Sequence, residues 1–376
     1  MSALESAARA LQKEAPPARQ RILSLDALRG FDMFWIAGGD TVFWALREMS
    51  GTSAVLGLVT TQLEHVKWEG FRFFDLIFPL FVFMIGISVV LSLSRIRERE
   101  GVRAAHWRVL RRFALLFILA VVYEGAAGES ALDERLMGVL PRLTVCYLFT
   151  GLLFLRLRVR GLIATCAVLL LGYWALLTSV PAPGEQFVSF EPGRNLTNWV
   201  DMHVLPSGRF DNEGILSTAP AIASCLLGLF AGLLLTSGAV SEKRKVFYLV
   251  GGGAVMTALG YLWGLQFPVI KNLWTSSYVL VAGGYSSMLL GLFYFVIDTK
   301  RLRWWAQPFV WIGANSITIY FLPTIVPLPD LAYRILGDDI VWQFGRYGPV
   351  VISAMAVGFI FLFAWVLYRR QILIRV

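Results

Sequence analysis

Residues 64–86 read "EHVKWEGFRFFDLIFPLFVFMIG". Glu64, His65, Lys67, Glu69, Arg72 and Asp75 crowd the first half, and from Leu76 onward the charges stop. An apolar run of about twenty residues matches the hydrocarbon thickness of a bilayer when helical. Backbone groups in lipid must be satisfied within the segment, so the run is a helix and not a strand. The stretch therefore predicts a membrane-spanning helix with one of the chain's three histidines at its entrance.

The same pattern recurs along the chain. Its 376 residues are 57% hydrophobic and 16% charged, with a mean hydropathy of +0.65. Length alone would suggest two or three soluble domains, but the apolar content argues for one polytopic membrane domain. Ten runs are expected to span, over about 27–47, 71–93, 112–128, 137–155, 161–180, 214–236, 246–265, 275–297, 304–326 and 347–368. The expected architecture is an all-α polytopic membrane domain over 21–376, preceded by a polar, alanine-rich tail over 1–20. That tail lacks the continuous apolar core of a secretory signal. Cys146, Cys166 and Cys225 lie inside apolar runs without paired spacing, so they read as small hydrophobes and not as disulfides or zinc ligands.

Charge sets the expected orientation. Of the 34 Lys and Arg residues, 24 fall in one alternating set of connections, together with the two chain ends. The other set keeps ten, with 17 of the 25 acids. By the positive-inside rule both termini are expected to be cytoplasmic. The net charge of +9 is then a topology signal, and no basic–aromatic interleaving calls for a nucleic-acid partner. His65 falls on the outward side. So does the longest outward loop, 181–213, with Asp211 and Glu213 near its end as candidate acceptor-binding residues. The net acidic outward face would favour amine-bearing solutes.

Ionisable groups inside spans are expensive and mark pairs or functions. Asp40 lies eleven residues beyond Arg29, about 16 Å further along a helix and close to the same face. A histidine can accept and return a proton near neutral pH, and carboxylates at Asp40 or Asp75 could orient His65. Arg142, Asn272, Asn315, Ser316 and Tyr320 are candidates for binding a donor, and Lys271 for contacting an acceptor. Each alone could be helix–helix glue; together they suggest a polar cavity. The chain has no P-loop, GxSxG, HExxH or Cys/His cluster, so chemistry here must rest on proton transfer and positioning without a metal. No mirrored pair of broken helices points to a repeat-built transporter.

The motifs "RILSLDALRGFDMFWIAGGD" (21–40), "HVKWEGFRFFDLIFPLFVFMIGIS" (65–88), "GVLPRLTVCYL" (138–148), "DNEGILSTAPAIASCLLGLFAG" (211–232), "IKNLWTSSYV" (270–279) and "GANSITIY" (313–320) occur in this order. In them the chain resembles the heparan-α-glucosaminide N-acetyltransferase family, over nearly all of its length after about residue 20. The resemblance implies transfer of an acetyl group from cytoplasmic acetyl-CoA to an acceptor on the far side, an amino sugar or other glycan. The resemblance implies a homodimer as the expected assembly, and the compact form without a large lumenal extension points to a bacterial inner-membrane location, in contact with membrane lipid. The family's active histidine maps onto His65, and a position that carries asparagine in lysosomal members maps onto Asp40. A second histidine of those members falls on Pro323, so its role does not transfer. Two rival readings are O-acetylation of a glycan hydroxyl, as in acyltransferase-3 proteins, and transport or flipping without chemistry.

Overall fold

The computed structural model describes residues 22–50, 53–126, 138–205 and 214–372. Helix α1 (Leu23–Phe34) passes through a widened turn, Trp35–Gly39, into α2 (Thr41–Ser50), and a short α3 (Ala54–Gln62) follows. Then come α4 (Phe73–Glu100), α5 (Val102–Ala126), α6 (Val139–Arg156), α7 (Val159–Ser179), the short α8 (Leu196–Val204) and α9 (Thr218–Thr236). The chain closes with α10 (Glu242–Gly264), α11 (Ser276–Phe293), α12 (Gln307–Ala314), α13 (Ser316–Ile325), α14 (Leu328–Phe344) and α15 (Gly348–Arg369). No strand occurs among the described residues; extended chains meet only at a single bridge between Glu69 and Ile270.

Seven helical segments among the described residues are long and apolar enough to cross a membrane, or eight if α12 and α13 count as one. Three of the ten expected spans are not among the seven: the run over 112–128, whose described part lies on α5, and two that differ in form. The run over 27–47 is broken at Gly38, whose φ of 115° belongs to the region that glycine alone enters freely. The run over 304–326 is bent by 80° at Asn315 between α12 and α13. Three further helices, α3, α8 and α14, lie in connections between the expected spans.

Helix α4 is the axis of the molecule. It packs closely on α9 through two glycines. A Cβ on Gly86 would lie 1.9 Å from the Cys225 carbonyl oxygen, and one on Gly228 would lie 1.8 Å from that of Phe83. Small residues let membrane helices approach backbone to backbone, where dispersion replaces the hydrophobic drive that lipid does not supply. Around that contact Leu80, Phe83, Met84, Ile87, Leu226, Leu229 and Tyr278 form the buried centre, and all three cysteines are buried free thiols. Helix α5 folds back beside α4 after Gly101 and also lies against α6.

Candidate active site

The start of α4 is fixed by its own third residue. The Asp75 carboxylate accepts the Arg72 backbone N–H at 3.1 Å, closing a capping box that satisfies an otherwise orphaned donor. The same oxygen takes the Val66 N–H at 3.2 Å, which draws the preceding loop over the helix end. Its other oxygen lies 2.9 Å from His65 Nδ1. The Asp75 side chain is 1% exposed and that of His65 53%. A buried carboxylate thus grips an imidazole that faces open space.

Pro79 adds a second constraint. It lacks the N–H that would bond to the carbonyl four residues earlier, which is Asp75's own. The Tyr278 hydroxyl, from α11, donates to that carbonyl at 2.8 Å. The proline leaves an acceptor open and the tyrosine fills it, so the backbone of Asp75 is tied to a second helix.

The histidine loop is held from outside as well. Gly70 N–H donates to the Val269 carbonyl at 2.9 Å, and the Trp68 indole donates to the Phe190 carbonyl at 2.8 Å. Arg72 pairs with Glu64 at 3.1 Å. The facing 268–275 segment is a turn closed by Thr275, whose hydroxyl donates to the Pro268 carbonyl at 2.8 Å and accepts the Ile270 N–H at 3.1 Å. That turn delivers Lys271. Its ammonium lies 3.0 and 3.4 Å from the two ring nitrogens of His65 and 3.5 Å from Asp75 Oδ1.

A carboxylate can only accept hydrogen bonds, so with Asp75 as the partner of Nδ1 that nitrogen carries the proton of the neutral ring, and the Lys271 ammonium is left to Nε2 and to Asp75 Oδ1. The lone pair is then on Nε2. This is the tautomer of a general base.

His65, Lys67, Lys271 and Asn272 lie at one end of a cavity of about 1720 Å³. Along α4 the cavity is lined by Phe74, Ile77, Phe78, Phe81, Met84, Ile85, Ser88, Leu91, Ser92, Arg95 and Ile96, a stripe at helical spacing. Phe74 to Ile96 corresponds to about 33 Å of helix, close to the thickness of a bilayer core. The far end is strongly basic: Arg95, Arg108, Arg112, Lys245, Arg301 and Arg303 line it, with Glu242 and Asp298 among them. Asp298 accepts the N–H groups of Leu23 and Ser24 at 3.3 and 3.0 Å and so fixes the start of α1 beside this mouth.

The other sequence candidates divide by face. Ser316 and Tyr320 line the cavity from α13, where Tyr320 packs on Tyr123 with ring centroids 5.0 Å apart. Asn272 lines it beside Lys271. Asn315 is buried at the α12–α13 bend and is not among the lining residues. Arg142 is not among them either. It is fully buried, sits 5.0 Å over the Trp274 ring and donates to the Gly214 carbonyl and the Ser217 hydroxyl. Its neighbours Leu143 and Thr144 are the ones that face the cavity. Asp40 does not pair with His65: after the break at Gly38 its carboxylate bonds to Trp44 and to backbone N–H groups of Asp40 and Thr41. Asp211 and Glu213 lie outside the described residues.

An all-helical integral membrane protein with an oriented histidine at one end of a membrane-deep cavity and a cationic mouth at the other defines the class. A profile of the family described as "Heparan-alpha-glucosaminide N-acetyltransferase, catalytic" matches residues 21–263. The chain belongs to that family. Among curated proteins it is similar to heparan-alpha-glucosaminide N-acetyltransferase of Homo sapiens, 27% identical over 366 residues, 80% of this chain and 52% of that one. The protein of the same name from Mus musculus is 26% identical over 370 residues, 82% of this chain and 56% of that one. The chain thus spans little more than half the length of the relatives it matches.

Proposed function

We propose that this chain is a membrane acetyltransferase that carries the acetyl group of acetyl-CoA through its cavity to an amino-sugar acceptor at the His65 end. In this reading the basic mouth and both termini are cytoplasmic, and His65 opens outward. The broken α1–α2 segment and α5 join the apolar helices to make ten crossings.

The observation that carries the reading is the length of the cavity between its cations and His65. From the thioester carbon to the nearest phosphorus of CoA runs a chain of about fourteen bonds, about 17 Å when extended. With the acetyl group at His65, beside Asp75, that phosphorus falls near Ser88, thirteen residues along α4 and about 20 Å away. The remaining phosphates then reach toward Arg95, about 30 Å from Asp75. Guanidinium groups pair with phosphate oxygens through charge-assisted, often bidentate hydrogen bonds.

The chemistry follows from the tautomer. The acceptor nitrogen attacks the thioester carbon as His65 Nε2 takes a proton from it. The C–S bond breaks, and the CoA thiolate recovers that proton from the imidazolium. Asp75 holds the ring and balances its charge during the step. The Lys271 ammonium is placed to stabilise the negative charge that develops on the thioester oxygen. Asn272 supplies a further amide donor at the same end.

The test is turnover of labelled acetyl-CoA by purified protein with glucosamine as acceptor. His65→Ala should abolish product in protein that thermal unfolding shows to be folded. Unaltered turnover in that variant would sink the assignment. Product with N-acetylglucosamine and none with glucosamine would move the reading to O-acetylation, and no transfer with any sugar would favour transport.

A further inference from the structure

We propose that Arg29 is the group that reads the phosphate at the end of the pantetheine arm, acting together with Ser88. Resting on the donor assignment above, this names the residue at which the cavity distinguishes a phosphorylated arm from a neutral one. Arg29 sits within α1 and lines the cavity, and Ser88 and Asp26, to which its guanidinium bonds, line it too. It donates to the Ser88 hydroxyl on α4 at 3.1 Å and to Asp26 at 3.3 Å. Ser88 in turn donates to the Met84 carbonyl at 2.9 Å, so its position is set by its own helix.

Depth singles this arginine out. Arg95 lies seven residues further along α4 than Ser88, about 10 Å closer to the mouth. An arm with its thioester at His65 places its first phosphate at the Ser88 level, short of Arg95. Arg29 is the cation bonded at that level. Around it Met33, Met84 and Ile85 line the wall, so a phosphate there exchanges water for a cation held in an apolar setting, where charge pairing is least screened.

Asp26 also lines the wall and pairs with Arg29. It holds the guanidinium in place and partly offsets its charge. Removing the Asp26 charge while keeping its shape therefore strengthens phosphate binding.

The experiment measures calorimetric binding of pantetheine and of 4′-phosphopantetheine to the full-length protein in detergent, with melting temperatures alongside. The wild type should prefer the phosphorylated arm by about tenfold or more, the effect of one or two charge-assisted hydrogen bonds. Arg29→Gln should erase that preference and leave pantetheine affinity unchanged; Arg29→Lys should keep part of it. Ser88→Ala should weaken 4′-phosphopantetheine alone, and Asp26→Asn should tighten it. A phosphate preference that survives in Arg29→Gln, or an equal loss for both compounds, would overturn the assignment and leave Arg29 as a pin between α1 and α4. If Arg29→Gln does not fold, unchanged preference in both Ser88→Ala and Asp26→Asn overturns it instead. Failure of the wild type to bind CoA itself would be a different result: it removes the donor reading as a whole.

Discussion

Tyr278→Phe removes a single oxygen from a fully buried residue whose hydroxyl bonds to the backbone of Asp75, the residue that holds His65. The hydroxyl it removes is the one that donates at 2.8 Å to the Asp75 carbonyl. Pro79 cannot supply the helical N–H to that carbonyl, so the variant leaves a buried acceptor without its donor. Such a loss costs about 1–3 kcal/mol. Part should appear as a lower melting temperature, and part as lower turnover, because the freed carbonyl lets the first turn of α4 shift and carries the Asp75 carboxylate away from His65 Nδ1. The decisive comparison is a double-mutant cycle with Pro79→Ala. Alanine restores an N–H at position 79, which can bond to the Asp75 carbonyl in regular helix. Tyr278→Phe should then cost clearly less in the Pro79→Ala background than in the wild type, by about 1 kcal/mol. Chemical or thermal unfolding in detergent, together with kcat, reads both effects. Equal losses in the two backgrounds would refute the proposal that tyrosine and proline are two halves of one device.

Other expectations follow from the same contacts. Asp75→Asn keeps the volume but no longer dictates the Nδ1–H tautomer, and kcat should fall by about 10²- to 10⁴-fold with little change in the KM for the donor. Gly86→Ala should lower the melting temperature, since its Cβ would meet the Cys225 carbonyl at 1.9 Å; overpacking of this kind costs about 1–3 kcal/mol or more. Arg142→Leu should destabilise the protein by about 1–3 kcal/mol, because the Gly214 carbonyl and the Ser217 hydroxyl lose a charged donor, with an unchanged KM for acetyl-CoA in the folded fraction. A raised KM without destabilisation would instead return Arg142 to the donor site.

The helical class of the fold was legible in the sequence because each bilayer-length run reports its own structure. The breaks were less legible. Gly38 and Asn315 interrupt runs whose hydropathy continues unbroken, and only backbone geometry shows that the chain turns there. This is why Asp40, counted as eleven residues along a straight helix from Arg29, does not reach the site: the turn at Gly38 re-aims everything after it. Asp75 could be read because a carboxylate opening an apolar helix needs a partner, and the neighbouring loop offered a histidine. Arg142 illustrates the opposite case. Composition marks a buried charge but not which face of α6 it occupies, and one residue's rotation separates the cavity wall at Leu143 from the buried contact with Trp274. Tyr278 carried a usable signal: Pro79 announces an orphan carbonyl at Asp75, and some donor must answer it. The arginines of the basic mouth were visible too, but the topology rule already accounted for them, and only the cavity links them to His65.

The central claim is that an acetyl group enters at the basic mouth and leaves at His65, on the other side of the bilayer. Sealed proteoliposomes of known orientation test it directly, with labelled acetyl-CoA confined to the side of the basic mouth and glucosamine to the His65 side. N-acetylated sugar should accumulate only on the His65 side, and none should form with His65→Ala. Product formed only when donor and acceptor share one side would contradict the account.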